Sequence, residues 1–271
     1  MELVLTDVSA TGADKSISSL TVTFKSGRLI GLYGESSLLL KDILTAGVKY
    51  KGTIMWDQEK VTAKNSSKYF SDVYIVPNDF PQYYHLSVLE YLDLFLEKKQ
   101  IKWKNKKKKL NDMLKLVGLK EDIFTQLLAT LSCSELTLLG ICTALIVNPS
   151  VIFLQDPFLG LDALFCKRLV KLFQMLKEKK QKIILFYSTN IDVLYQYTDE
   201  CYLFCDDHCV KSGLTSKIFQ DVKLLSEYSI PIPKLVHFTC RVKEDKGIKL
   251  FYHRDVRDLI KDIYKHIDFK N

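Results

Sequence analysis

No apolar run in this 271-residue sequence has the length of a membrane span: the longest near-continuous stretch, residues 136–147, falls short of the roughly 20 residues that a bilayer-crossing helix needs. The opening MELVLTDVSATG lacks the charged-then-apolar pattern of an export signal, so the chain is expected to stay in the cytosol. The seven cysteines have no regular spacing, which argues against a disulfide framework and for reduced thiols. Cys201, Cys205, His208 and Cys209 crowd together, yet their spacing matches no standard zinc pattern and Cys201 and Cys205 would share one strand face, so no metal site is expected. Acid is missing locally as well. Residues 98–109 (KKQIKWKNKKKK) hold eight lysines with no acid and no arginine, and account for much of the +7 net charge. With Trp103 as its one aromatic, this run makes a poor stacking platform for bases, and no nucleic-acid partner is expected. A patch for an anionic membrane and a plain solvated rim are its two other readings.

What is present is an ordinary globular composition, 47% hydrophobic and 26% charged, enough for one large core or two modest ones. Residues 1–8 and 20–24 alternate apolar and polar side chains as half-exposed antiparallel strands do. Residues 29–33 (LIGLY), 182–187 (KIILFY) and 151–154 (VIFL) are instead uninterrupted apolar runs, the pattern of buried parallel strands. The last of these runs into Gln155, Asp156, Pro157 and then Gly160-Leu161-Asp162, placing polar chemistry at the C-terminal end of a strand, where doubly wound sheets bind ligands. Ser87 caps one amphipathic helix, residues 110–119 read as a second that ends near Gly118, and 163–179 as a third.

Strand 29–33, Gly34 and a helix with Leu38, Leu39, Leu40, Ile43 and Leu44 form the setting of a phosphate-binding loop. The loop residues do not complete it. The motif G-x-x-x-x-G-K-[ST] uses glycines so that backbone N–H groups can wrap phosphates, a lysine to neutralise them and a hydroxyl for magnesium. Counted from Gly34 past Ser37, the second glycine is Leu39 and the lysine is Leu40. One inserted residue would bring Lys41 to the lysine position but leave Leu40 for the glycine and Asp42 for the hydroxyl. Leucines beside a triphosphate would desolvate its charge without compensation.

In order and spacing, these stretches resemble the ATP-binding-cassette (ABC) ATPases. Residues 151–162 resemble that family's Walker B strand and D-loop: Gln155 stands at the magnesium-facing Asp, Asp156 at the catalytic Glu, and Asp162 in the loop. Residues 50–62 resemble the strand-turn-strand after the first helix. Asn78 takes the Q-loop glutamine position, and residues 79–85 (DFPQYYH) the surface that receives a membrane subunit's coupling helix. Leu131-Ser132-Cys133-Ser134-Glu135 aligns with the LSGGQ signature, leaving Ser132 and Ser134 for weak phosphate contact or plain helix capping. Asn190 stands at the switch histidine; it donates a hydrogen bond but cannot exchange a proton near neutral pH. No aromatic stacks adenine near Ala10 and Thr11. Residues 224–260 look like the C-terminal extension of the ATPase subunits of energy-coupling-factor (ECF) transporters, with Pro231, Pro233, Leu235 and Phe238 as candidate dimer contacts.

The resemblance implies an α/β cassette of the P-loop NTPase type: a mixed, largely parallel sheet, an antiparallel edge sheet and a helical insert over about 86–140, all within residues 1–215, with an extension over 216–271. It implies ATP and magnesium as ligands, a second ABC ATPase subunit and a transmembrane transporter subunit as partners, and a place on the inner face of the cell membrane. Gly34, Ser37, Lys41, Asn78, Gln155 and Asn190 would be the remnant of a nucleotide site, Asp156 the one group left at a catalytic position, and Ser132, Ser134 and Asp162 what the chain lends to a partner's nucleotide. The losses predict a degenerate subunit paired with an active ATPase. A working ATPase that drives ECF-type uptake, using Lys41 and Asp156, and a soluble interaction protein that kept the fold but left transport are the alternatives.

Overall fold

The computed structural model describes residues 1–77 and 79–265; Asn78 lies outside the described residues. Ten strands follow one another through them: β1 (Glu2–Thr11), β2 (Ser16–Lys25), β3 (Arg28–Tyr33), β4 (Tyr50–Trp56), β5 (Glu59–Lys60), β6 (Val73–Ile75), β7 (Val151–Gln155), β8 (Ile183–Tyr187), β9 (Glu200–Cys205) and β10 (His208–Leu214). They form an antiparallel sheet ordered β2-β1-β4-β5 and a second sheet ordered β10-β9-β3-β8-β7-β6, whose strands from β9 to β6 are all parallel. β10 closes that sheet as an antiparallel hairpin on β9, turning at Asp206 and Asp207.

The pleat of the parallel strands divides the interior into two cores. Ile30, Leu32, Val151, Phe153, Ile183 and Leu185 point to one face and pack with the antiparallel sheet and with Leu39, Leu40, Ile43 and Leu44 of the short helix Leu39–Leu44. Leu29, Ile152, Leu154, Ile184 and Phe186 point to the other, against the helices. Burial on both faces is why these strands read as unbroken apolar runs, whereas β1 and β2 alternate.

Three helices on the second face bear on the site. Val88–Lys98 opens with a capping box between Ser87 and Glu90. Lys106–Val117 ends at Gly118, whose φ of 95° continues in the left-handed region. Cys133–Val147 is apolar nearly all round because it is buried on nearly every side: residues 136–144 are all buried, which accounts for the long apolar run. Its Gly140 permits contact with the segment after β6, since a Cβ there would lie 2.5 Å from the Pro77 carbonyl oxygen. Among the described residues, no helix is long and apolar enough to cross a membrane.

Candidate nucleotide-site remnant and the signature turn

Because β3, β7 and β8 are parallel, the residues that follow Tyr33, Gln155 and Tyr187 emerge together at one edge of the sheet, with Gln155 and Tyr187 in register. Gly34 leaves β3 at φ 95°, and a Cβ on it would lie 2.1 Å from the Phe204 carbonyl oxygen, so only glycine passes here. The chain then winds into a tight turn of 3₁₀ helix, Glu35–Leu38. Ser37 is fully buried, and both its hydroxyl and its backbone N–H donate to the Gly34 carbonyl oxygen, at 2.6 and 3.1 Å. Leu39 and Leu40 follow into the core, 3% and 0% exposed, while Lys41 lies half-buried on the helix that they anchor.

Across the edge, Asp156 has φ 41°, a left-handed position ahead of Pro157. Its carboxylate accepts from the Ser188 hydroxyl at 2.7 Å and from the Thr189 N–H at 3.3 Å, and its own N–H donates to the Tyr187 carbonyl oxygen. The Asn190 N–H donates back to the Ser188 hydroxyl oxygen at 3.1 Å. Asn190 caps the helix Ile191–Tyr197, its side-chain oxygen accepting from Asp192 and Val193. Burial raises the Tyr187 phenol above its ordinary range, and the Asp156 and Glu35 carboxylates push it the same way. The Tyr33 phenol is raised too, first by burial and then by Cys205. Lys15 Nζ lies 3.5 Å from a carboxylate oxygen of the exposed Glu35.

The signature stretch forms the start of Cys133–Val147. Ser132 is the cap: its hydroxyl accepts from the Glu135 N–H at 3.3 Å, and the Glu135 carboxylate accepts from the Ser132 N–H and hydroxyl at 2.8 and 2.7 Å. Asp162 caps Ala163–Lys180 through the N–H groups of Leu164 and Phe165. The Ser134 hydroxyl donates to the Gly160 carbonyl oxygen at 2.8 Å, tying the signature turn to the loop after β7 within the same chain.

The fold thus brings Gly34, Ser37, Gln155, Asp156 and Asn190 to one edge and joins Ser134 to the loop that carries Asp162. Sequence reading missed Ser188, the hydroxyl that holds Asp156 from 32 positions away, and the Ser134–Gly160 bond across 26. Nothing in the linear pattern marks either; a hydroxyl directly after a buried strand was the available signal. Of the C-terminal contact candidates, Pro231 and Phe238 are exposed and Leu235 is half-buried, while Pro233 is buried inside the chain. Cys201 and Cys205 share the face of β9 that packs against the helical core, and among the described residues no three His, Cys, Asp or Glu side chains converge as metal ligands.

Residues 17–159 match the family model described as ABC transporter. The chain belongs to the ABC transporter family. Among similar proteins is the energy-coupling factor transporter ATP-binding protein EcfA2 of Streptococcus pneumoniae, 32% identical over 141 residues, which are 52% of this chain and 50% of that protein. The EcfA2 of Mycoplasma mobile is 26% identical over 164 residues, 60% of this chain and 53% of its own. The chain spans about half the length of the curated relatives it matches. In fold, it is similar to a nucleotide-free ATP-binding cassette from an ABC transporter, at TM-score 0.70 with 17% identity over 84% of this chain and 98% of that one. It is likewise similar to cbiO1 of Clostridium perfringens, described as part of the ABC transporter complex cbiONQ, at TM-score 0.66 with 20% identity over 87% and 97%. The ABC cassette architecture, with its mixed parallel sheet and separate antiparallel sheet, is therefore that of this chain.

Proposed function

We propose that this ABC family member is a catalytically silent nucleotide-binding subunit that pairs with an active ATPase in a transporter of the energy-coupling-factor type. One observation carries the reading: the place of the phosphate cradle is filled by protein. Ser37 turns its donors inward onto Gly34, and Leu39 and Leu40 occupy the core where the motif needs a glycine and a lysine. The residues present do not fit a magnesium triphosphate. The Asp156 carboxylate and the Asn190 side-chain oxygen are engaged by neighbouring hydroxyl and N–H groups. The similarity to EcfA2 proteins supports the transporter type. The intact capping of Ser132 and Asp162, joined through Ser134 and Gly160, supports a role at the partner's nucleotide, because it fixes the start of Cys133–Val147 in place and a helix start carries partial positive charge. In this reading residues 1–215 act as the cassette, the aromatic loop around Phe80 and Tyr84 meets a transmembrane subunit, and residues 216–271 contribute to pairing through exposed Pro231 and Phe238.

The purified chain should turn over magnesium-ATP no faster than buffer, and Asp156→Ala should leave that background unchanged. Turnover at ordinary ABC rates that Asp156→Ala abolishes overturns the proposal in favour of a working ATPase. Recovery from detergent-solubilised cells of a second cassette ATPase with intact motifs and a polytopic membrane protein is the accompanying expectation for the assembly.

A further inference from the structure

Residues 98–109 have no part in the nucleotide reading, yet they hold the densest charge in the chain. The helix Val88–Lys98 ends in this run, and Lys106–Val117 begins with four consecutive lysines. That placement is unfavourable in isolation, because the first turn of a helix carries partial positive charge and is stabilised by acids. No acid lies in that turn, and Asn105 accepts no capping hydrogen bond. Two of the eight lysines find carboxylates: Lys106 meets Asp93 at 2.8 Å and Lys107 meets Glu121 at 3.6 Å. The remaining six, Lys98, Lys99, Lys102, Lys104, Lys108 and Lys109, are exposed and, among the described residues, have no carboxylate within ion-pair distance.

A second observation lies beside them. An open cleft of about 310 Å³ is lined by Trp103, Met113, Leu116 and Met175 and edged by Lys180 and Lys182. Leu116 is 45% exposed, and Lys109 Nζ stands 5.3 Å from the Trp103 ring centroid. The corner therefore combines unopposed positive charge with an apolar cleft and a half-buried indole. Phosphate headgroups complement the first, and the glycerol region with its upper methylenes complements the second and third. At its other end, the run adjoins the groove of Pro77, Phe80 and Tyr83, which Lys98 and Lys99 also line, so it continues the surface assigned above to the transmembrane subunit.

We infer that this corner docks on a bilayer surface containing anionic phospholipid. Lysine alone suits that partner: a point charge on a flexible stem follows a fluid array of phosphates, whereas nucleic-acid recognition draws on guanidinium forks and open aromatic faces. Here there is no arginine in the run, and a face of Trp103 is covered by Lys109. The inference does not depend on whether the chain binds ATP.

The test sediments the purified full chain with vesicles of phosphatidylcholine alone, or of phosphatidylcholine with phosphatidylglycerol, at low and raised salt. The expected result is binding to the anionic vesicles only, weakened by salt, with a blue shift of Trp103 emission; the second tryptophan, Trp56, is buried and serves as the unresponsive reference. The triple variant Lys102→Glu, Lys104→Glu, Lys108→Glu should partition about a hundredfold less, at about fivefold or more per lysine, with an unchanged thermal melt. Equal binding to both vesicle types, no binding, or full binding by the triple variant overturns the inference. So does release from vesicles by dilute inorganic phosphate, or a duplex oligonucleotide that binds more tightly than vesicles through the same lysines. The salt titration of the unmodified chain decides the matter even if the variant misfolds.

Discussion

Leu40 has no exposed surface, although it stands where the phosphate-loop motif carries its lysine. Restoring that lysine places an ammonium in the apolar core that Leu40 shares with Leu39, Ile43 and Leu44, and the one buried carboxylate among the described residues, Asp262, belongs to the C-terminal segment. Leu40→Lys is therefore expected to destabilise the fold on the order of 4 kcal/mol, as an uncompensated buried charge does, read as a lowered urea midpoint, without creating magnesium-ATP binding. The departure from the motif is thus built into the packing. The same scale shows what residue types could say. Ser132 was legible as a helix cap, whereas Asp162 and Asn190, read as a loop residue and as the switch position, also accept capping bonds at helix starts. That Asp156 is held by Ser188 was not legible, because contact between positions 32 apart exists only once β7 and β8 lie side by side.

At the scale of elements, the helix Cys133–Val147 does most to shape the signature side of the site. Gly140 sets how closely it can approach the segment after β6, and Tyr74 of β6 reaches the same helix through its hydroxyl, 2.7 Å from Thr143 Oγ1. Burial pushes the Tyr74 phenol up to about 12, so it remains a neutral hydrogen-bonding group throughout the physiological range. Gly140→Ala is expected to cost about 1–3 kcal/mol through overpacking against Pro77. The check is an unfolding midpoint compared with that of Ala144→Gly, a substitution in the same helix that adds no bulk. The sequence marked this stretch by its apolar length but could not orient it, since a helix buried on nearly every side has no polar stripe. β6 itself is short, Val73–Ile75, its pairing with β7 ending at Ile75 and Phe153.

Across the whole molecule, the C-terminal segment grips the helix that begins at Asn190. The Lys234 N–H donates to Asp192 at 2.7 Å, and the Arg254 guanidinium donates to the carbonyl oxygens of Tyr195 and Thr198 at the other end. The last described turns are fastened by Asp262, 2% exposed, which accepts from the Phe251 N–H at 2.8 Å and lies 3.1 Å from His253 Nε2. The Phe251 N–H first, and then His253, hold the Asp262 carboxyl below the usual carboxylate range. A lowered folded pKa means a contribution that is complete above the unfolded value and lost as pH falls through the folded one. Asp262→Ala should therefore melt earlier than the unmodified chain at neutral pH, with the difference closing below about pH 4. A difference that persists undiminished at lower pH would show that Asp262 acts through packing alone. Pro231 and Pro233, singled out in the sequence, stand just ahead of the helix Lys234–Lys246. The docking of Arg254 was not, since 56 positions separate it from Thr198.

The sequence by itself determined the strands that carry the layers of this protein, because periodicity is local: alternation marked β1 and β2, unbroken apolar runs marked β3, β7 and β8, and Ser87 marked the start of the helix Val88–Lys98. It also determined which motif positions depart from the phosphate-binding pattern. Only the tertiary structure decided what those departures do. Whether Leu40 faces a ligand or a core, whether Asp156 is free or held, and whether Ser134 points outward or binds Gly160 all depend on distances between segments that are far apart in the chain. Those distances are fixed by packing two sheets and a set of helices into shared cores, which no local pattern encodes.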